Sequence, residues 1–139
     1  MAIKQLTVYV ENKAGYLSEL TKLFAESKIN MKALSIADTK DFGLLRLIVD
    51  RPSDALSVLE KHGYLGKITE VIGVEIPNET GSLSKALSAL ADSGVNVEYL
   101  YAFLSGTPDS AYVVIKATDV SAEEILKKAG FKEIKGLSE

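Results

Sequence analysis

The sequence predicts an α+β protein built from two tandem copies of one β-α-β-β-α-β module. Three observations carry this reading. Identities recur at a fixed spacing, each copy alternates between strand and helix periodicity, and the same glycines punctuate both copies. Asn12, Gly15, Leu17, Ser18, Ala25, Ser27, Asn30 and Leu34 fall on Asn78, Gly81, Leu83, Ser84, Ala91, Ser93, Asn96 and Leu100, an offset of 66. Farther along, the offset becomes 67 and aligns Ile48, Leu59, Lys61 and Gly63 with Ile115, Leu126, Lys128 and Gly130. The turn-forming run Ser105-Gly106-Thr107-Pro108-Asp109 is the natural place for the extra residue. The predicted modules are residues 1–69 and 70–139.

Each element follows from its own period. Leu6, Val8 and Val10 alternate as the inward face of a first strand. Tyr16/Leu17, Leu20, Leu23/Phe24 and Ser27 then form a helical stripe, repeated as Leu83, Ala86/Leu87 and Leu90/Ala91. Strand-like residues run from about Asn30 to Thr39, turn near Lys40-Asp41 and return from Phe42 to Asp50. Asp50-Arg51-Pro52 suits a helix start with proline in the first turn, and Gly63 suits a left-handed stop just past His62. In the second copy Ser121-Ala122-Glu123-Glu124 reads as a capping box, with Val120 and Ile125 as a hydrophobic staple and Gly130 as the stop. Fourth strands are expected at Leu65–Thr69 and at Phe131–Lys135. This order is the ferredoxin-like plan, a four-stranded antiparallel sheet with two helices on one face. The apolar continuity from Ile68 to Val74 leaves no flexible linker, so the modules are expected to be rigidly associated.

Composition narrows the function classes. Of 139 residues, 47% are hydrophobic and 25% charged, and the net charge is −3, so nucleic acid and acidic membrane surfaces are poor partners. There is no apolar run long enough to span a bilayer and no secretory start at Met1-Ala2-Ile3-Lys4-Gln5, which makes a cytoplasmic protein the expectation. The absence of cysteine removes thiol nucleophiles, disulfides and zinc thiolates. No Ser/His/Asp set is visible, and the sole histidine, His62, is placed to neutralise a helix end. The acidic residues Asp38, Asp41, Asp50 and Asp54 lack metal-ligand spacing. No catalytic residue, metal or cofactor is therefore expected.

The chemistry concentrates in the strand-to-helix turns Asn12-Lys13-Ala14-Gly15-Tyr16-Leu17 and Asn78-Glu79-Thr80-Gly81-Ser82-Leu83. A helix N-terminus presents unpaired N–H groups and a partial positive charge, which favour a carboxylate. Glycine allows close approach to the backbone. Asparagine supplies a donor and an acceptor, matching an amino acid. The same pattern is also an ordinary helix cap. Each copy carries a second asparagine beyond its helix, Asn30 or Asn96, and these fourteen residues are the candidate ligand contacts.

These turns, together with Leu23-Phe24-Ala25 to Ile29-Asn30 and Leu90-Ala91 to Val95-Asn96, resemble the Asn-x-x-Gly-x-Leu…Ile/Val-Asn pattern of the ACT family over essentially the whole chain. That resemblance implies regulatory β-α-β-β-α-β domains that bind amino acids or other small molecules between modules. It places Asn12 and Gly15 with Asn30 across an interface, and Asn78 and Gly81 with Asn96. The family's frequent Arg-Pro between asparagine and glycine is replaced by Lys13-Ala14 and Glu79-Thr80. Glu79 would repel a carboxylate by about 1 kcal/mol, so the first turn ranks higher for an acidic ligand. The resulting expectation is a regulatory protein that binds a small amino-acid-like ligand and acts on a separate regulated protein. A structural or protein-interaction module without ligand and a small ferredoxin-like hydrolase are the alternatives. Tyr99, Tyr101 and Phe103 alternate with Leu100, Ala102 and Leu104, so neither face of that strand is polar. Packing inside one chain accounts for this, as does the homodimer expected here; a monomer in light scattering would exclude the dimer.

Overall fold

The computed structural model describes residues 2–38 and 41–134, so the expected turn residue Lys40, the end of the second strand at Thr39 and the end of the last strand at Lys135 lie outside the described residues. The elements follow the predicted order, except that the strand expected to end the first module at Thr69 and the first strand of the second are one continuous strand: β1 (Ala2–Glu11), α1 (Tyr16–Glu26), β2 (Met31–Asp38), β3 (Phe42–Val49), α2 (Pro52–Lys61), β4 (Leu65–Pro77), α3 (Ser82–Asp92), β5 (Val97–Leu104), β6 (Ser110–Ala117), α4 (Ala122–Lys128) and β7 (Lys132–Glu133). The chain divides into two compact units, residues 4–70 and residues 2–3 with 71–134, each described by itself.

In the first unit the strand order is β2-β3-β1-β4, using the N-terminal part of β4. Leu6 pairs with Leu47 and Val8 with Leu45 across β1 and β3, so the alternating residues share one face. Both helices pack on that face. The core holds Leu6, Val8, Val10, Leu20, Phe24, Leu45, Leu47, Ala55, Leu59 and Tyr64, each nearly or fully buried. Part of the opposite face is also removed from solvent: Gln5 and Ile48 are fully buried, and Thr7 and Ala33 nearly so. Gln5 satisfies part of its amide by donating from Nε2 to Thr7 Oγ1 at 3.0 Å, as a buried polar group must.

In the second unit β4 lies between β6 and the short β7, with β5 outside β6. Its core is built from Val74, Ile76, Ala86, Leu90, Val113, Ile115, Ala122 and Leu126. The fourth strand, expected from Phe131, begins one residue later: among the described residues Lys132 and Glu133 pair, with Glu75 and Val74. Phe131 instead donates its N–H to Leu126 O at 3.1 Å, which keeps it in the turn that closes α4. The β5–β6 turn is longer than its counterpart, as expected, but by two residues and not one: Leu34 pairs with Leu47 where Leu100 pairs with Ile115, so the register matches Leu47, not Ile48, with Ile115. In this turn Gly106 has φ +93° and Ser105 Oγ donates to Ser110 O at 2.8 Å.

Three expectations are corrected. Leu17, on the predicted stripe of α1, is 42% exposed, because the buried face is set by Leu20 and Phe24. The capping box at Ser121 does not form: its side chain makes no cap bond, and Asp119 Oδ1 accepts the Ser121 N–H at 2.9 Å instead. That bond holds the Asp119 carboxyl below its ordinary range. Val120 is 99% exposed, so there is no staple with Ile125.

The copies end their first helices differently. Gly94 closes α3 at φ +75°, whereas the matching Lys28 follows α1 at φ +57°, a region costly for a residue with a Cβ. The strain is held by neighbours, since Arg51 Nη2 donates to Ser27 O at 2.9 Å and Lys28 O at 2.7 Å. Lys28→Gly should therefore stabilise the protein, by up to ~1 kcal/mol once the entropy of an added glycine is subtracted. Chemical denaturation measures it, and a lower midpoint would contradict the strain argument.

Candidate ligand site

Both predicted turns form, and in both the glycine is the residue before the helix. Gly15 (φ +85°, ψ −12°) precedes α1 and Gly81 (φ +91°, ψ −9°) precedes α3, each left-handed. A Cβ built on either would meet no atom within 4 Å. Glycine is therefore required by backbone conformation, while the space beside it stays open. Neither helix has a side-chain cap, because glycine occupies that position. The first amide of each helix is taken by a turn carbonyl, Tyr16 N–H donating to Lys13 O at 3.4 Å and Ser82 N–H to Glu79 O at 3.2 Å; the next amides of the first turns are left for water or a ligand.

The two turns differ in what surrounds them. In the first, Asn12, Lys13 and Ala14 are exposed. Lys13 Nζ pairs with Glu11 Oε2 at 3.0 Å and lies 5.7 Å from the centre of the Tyr16 ring. The hydrogen bond from Lys13 to Glu11, then the charge of Glu11, raises the lysine pKa. In the second turn, Asn78 is tied to the β5–β6 hairpin. Its N–H donates to Asp109 O at 2.9 Å and its Nδ2 to Pro108 O at 3.0 Å. Among the described residues Asn12 has no such side-chain bond. Glu79 and Thr80 are exposed, Ser82 is buried, and Leu83 packs against the core of its unit.

The second asparagines do not join these turns within a unit. Asn12 and Asn30 flank opposite ends of α1, whose 11 residues span roughly 16 Å; Asn78 and Asn96 flank α3 in the same way. Asn30 is fixed through its backbone, donating to Asp50 Oδ1 at 3.0 Å and accepting from the Asp50 N–H at 3.2 Å. Asn96 O accepts from the Thr118 N–H at 3.1 Å. The exposed His62 ring sits 2.9 Å from Val58 O, consistent with the predicted helix-end role.

A feature the turns alone did not signal lies beside α3. A cleft of about 410 Å³ opens between the end of β4, the first turn of α3, the start of β6 and the segment from Ala129 to Lys132. Its walls include Glu75, Glu79, Ser82, Lys85, Phe131 and Lys132. The corresponding place in the first unit is filled. Tyr16 meets Tyr64 edge to face at 5.3 Å between ring centres, and Tyr64 donates its hydroxyl to Glu19 Oε1 at 3.0 Å. The sequence signal for it is a change of residues between the copies, Tyr16 to Ser82 foremost.

Among the described residues no helix is long and apolar enough to cross a membrane, and no group of three or more His, Asp or Glu side chains could hold a metal ion.

Comparison with known proteins gives a consistent picture. Residues 1–138 match the family described as an ACT domain pair. The acetolactate synthase small subunit of Haemophilus influenzae is 32% identical over 69 residues, a match covering 50% of this chain and 42% of that protein. The chain thus accounts for less than half the length of this curated relative. The crystal structure of protein BT0572 from Bacteroides thetaiotaomicron aligns at 39% identity with a TM-score of 0.89, covering 95% of this chain and 91% of that one. The regulatory subunit of aspartate kinase from Thermus thermophilus, in its ligand-free form, aligns at 16% identity and a TM-score of 0.68, covering 94% and 97%, and so shares the fold.

Proposed function

The chain belongs to the ACT family as a pair of ACT domains, and we propose that it binds a small amino-acid-like ligand at its glycine turns and reports the ligand to a separate regulated protein. The observation that carries this is the duplicated turn, with a left-handed glycine leaving each helix start uncapped and open. A carboxylate matches those amides and the helix dipole. At the first turn Asn12 and Lys13 stand beside them; at the second, Asn78 is already bonded to Pro108, and Glu79 is exposed nearby. The first turn is therefore the stronger site for a carboxylate. Asn30, at the other end of α1, serves a ligand only from a neighbouring module or chain. The regulatory effect then comes from differential affinity: the ligand favours the arrangement that completes its contacts.

A cytoplasmic homodimer completes the proposal. The edge strands carry exposed apolar residues, Leu34 and Ile36 on β2 and Leu104 on β5, and such edges invite pairing with a second copy.

A panel of the common L-amino acids tests the reading. At least one should raise the unfolding midpoint of the full chain in a concentration-dependent way. Asn12→Ala should reduce that rise while leaving the ligand-free midpoint nearly unchanged, because Asn12 is exposed. A panel without any shift would refute ligand binding, and a shift insensitive to Asn12→Ala would move it away from the first turn.

A further inference from the structure

The copies differ at one spot in a way that leaves a hole. Aligned at their offsets, Tyr16, Glu19 and Tyr64 of the first unit become Ser82, Lys85 and Phe131 of the second. In the first unit the Tyr16 ring rests edge-on against Tyr64, whose hydroxyl reaches Glu19. In the second unit serine replaces the ring, phenylalanine has no hydroxyl, and a cation stands where the carboxylate was. All three replacements line the cleft of about 410 Å³, within the size range of small-molecule sites.

Apart from Ser110, whose hydroxyl donates to Ser105 Oγ at 2.8 Å, the polar side chains lining the cleft lack protein partners among the described residues. Ser82 is only 5% exposed. Among the described residues its hydroxyl has no hydrogen bond, and its oxygen is not fully enclosed, so water or a ligand can reach it. Lys85 and Lys132 form no ion pair among the described residues, nor do the carboxylates of Glu75, Glu79 and Asp109 on the same walls. Lys13 and Glu11 in the first unit, by contrast, pair at 3.0 Å. Ile76, Pro77 and Phe131 supply apolar wall.

We propose that this cleft binds an aromatic α-amino acid inside the second module, with the ligand's ring taking the place that Tyr16 fills in the first. The inference rests on the reading that the chain binds amino-acid-like ligands and names a site apart from the first turn. The ring lies against Phe131, as Tyr16 lies against Tyr64. The carboxylate is taken by Lys85, Lys132 and the Ser82 hydroxyl, through charge-assisted hydrogen bonds. The ammonium group is held by the acidic rim of Glu75, Glu79 and Asp109. Lysines alone would suit any anion; the acidic rim selects a zwitterion.

The test is a titration of the full-length chain with L-phenylalanine, followed by amide chemical shifts. Shifts are expected at Ser82, Lys85, Gly130, Phe131 and Lys132. L-alanine, which lacks the ring, phenethylamine, which lacks the carboxylate, and phenylacetate, which lacks the ammonium, should each bind at least tenfold more weakly. Ser82→Tyr refills the cleft with the residue the first copy carries there and should abolish the shifts; Lys85→Glu, an exposed change, should weaken binding at least tenfold. If L-phenylalanine shifts only residues 12–17, the cleft is not a site although the chain still binds amino acids. If it shifts nothing, or if Lys85→Glu or L-alanine binds as well as the reference pair, the inference is wrong.

Discussion

Phe24→Ala should destabilise the protein by ~3–5 kcal/mol, the range for removing a fully buried aromatic side chain. Phe24 is 0% exposed and belongs to the core that also contains Leu6, Val8, Leu20, Leu45, Leu47 and Leu59. It projects from α1, so the cavity would open beneath the helix that carries the first turn. The size of the effect matters because a module of about 70 residues rarely gains more than ~3–5 kcal/mol from its core. The first module should therefore be near or past its unfolding midpoint without denaturant. Leu17→Ala, on the same helix but 42% exposed, should cost less than ~1 kcal/mol. Urea unfolding of the two variants measures the contrast. Equal losses would mean that the helix presents a different face to the sheet.

That contrast also shows what the sequence made legible. Strand and helix periods located every element, since alternation at Leu6, Val8 and Val10 and the spacing of Leu20 and Phe24 are local consequences of burial on one face. The glycine stops at Gly63 and Gly130 were equally readable, because few other residues tolerate those positions cheaply; at Gly15 and Gly81 the sequence suggested close approach, and the structure shows a left-handed backbone instead. What stayed hidden depends on distant partners. Leu17 lies at the edge of its helical stripe, and only the placement of the sheet decides that it is exposed. Ser121 carries a capping-box spacing, but Asp119 two residues earlier reached the free amide first. Asn78 has the pattern of a ligand contact, yet its amide is bonded to Pro108, thirty positions away in sequence. The cleft is lined by three aligned substitutions on two segments, none conspicuous alone. The turns were thus legible as strand-to-helix turns, whereas the chemistry beside them was legible only in part.

Tyr64 should make stability fall between about pH 10 and 12. Burial is the main cause that pushes its phenol from 10.0 up to about 12, followed by its hydrogen bond to Glu19 and the charge of that carboxylate. The sign follows from the order of ionisation. Below pH 10 both folded and unfolded chains keep the proton, and the contribution is fully present. Between 10 and 12 the unfolded chain loses its proton first, so unfolding is favoured; above 12 both forms are ionised and the loss is complete. Two pH units correspond to at most ~2.7 kcal/mol. Other groups titrate in this window, so the measurement is a difference: denaturation of the native chain against Tyr64→Phe at matched pH. The variant should be less stable by ~1 kcal/mol at neutral pH, having lost the bond to Glu19, and its alkaline decline should be shallower. Glu19→Gln separates the causes, since it removes the charge but leaves the burial. Its Tyr64 should titrate lower than in the native chain yet still above 10. A return all the way to the ordinary value would show that Glu19, not burial, dominates. Tyr64 also touches Tyr16 at the start of α1, which couples this titration to the candidate site. A ligand bound at the first turn should shift the Tyr64 midpoint, whereas one confined to the cleft of the second module should leave it unchanged.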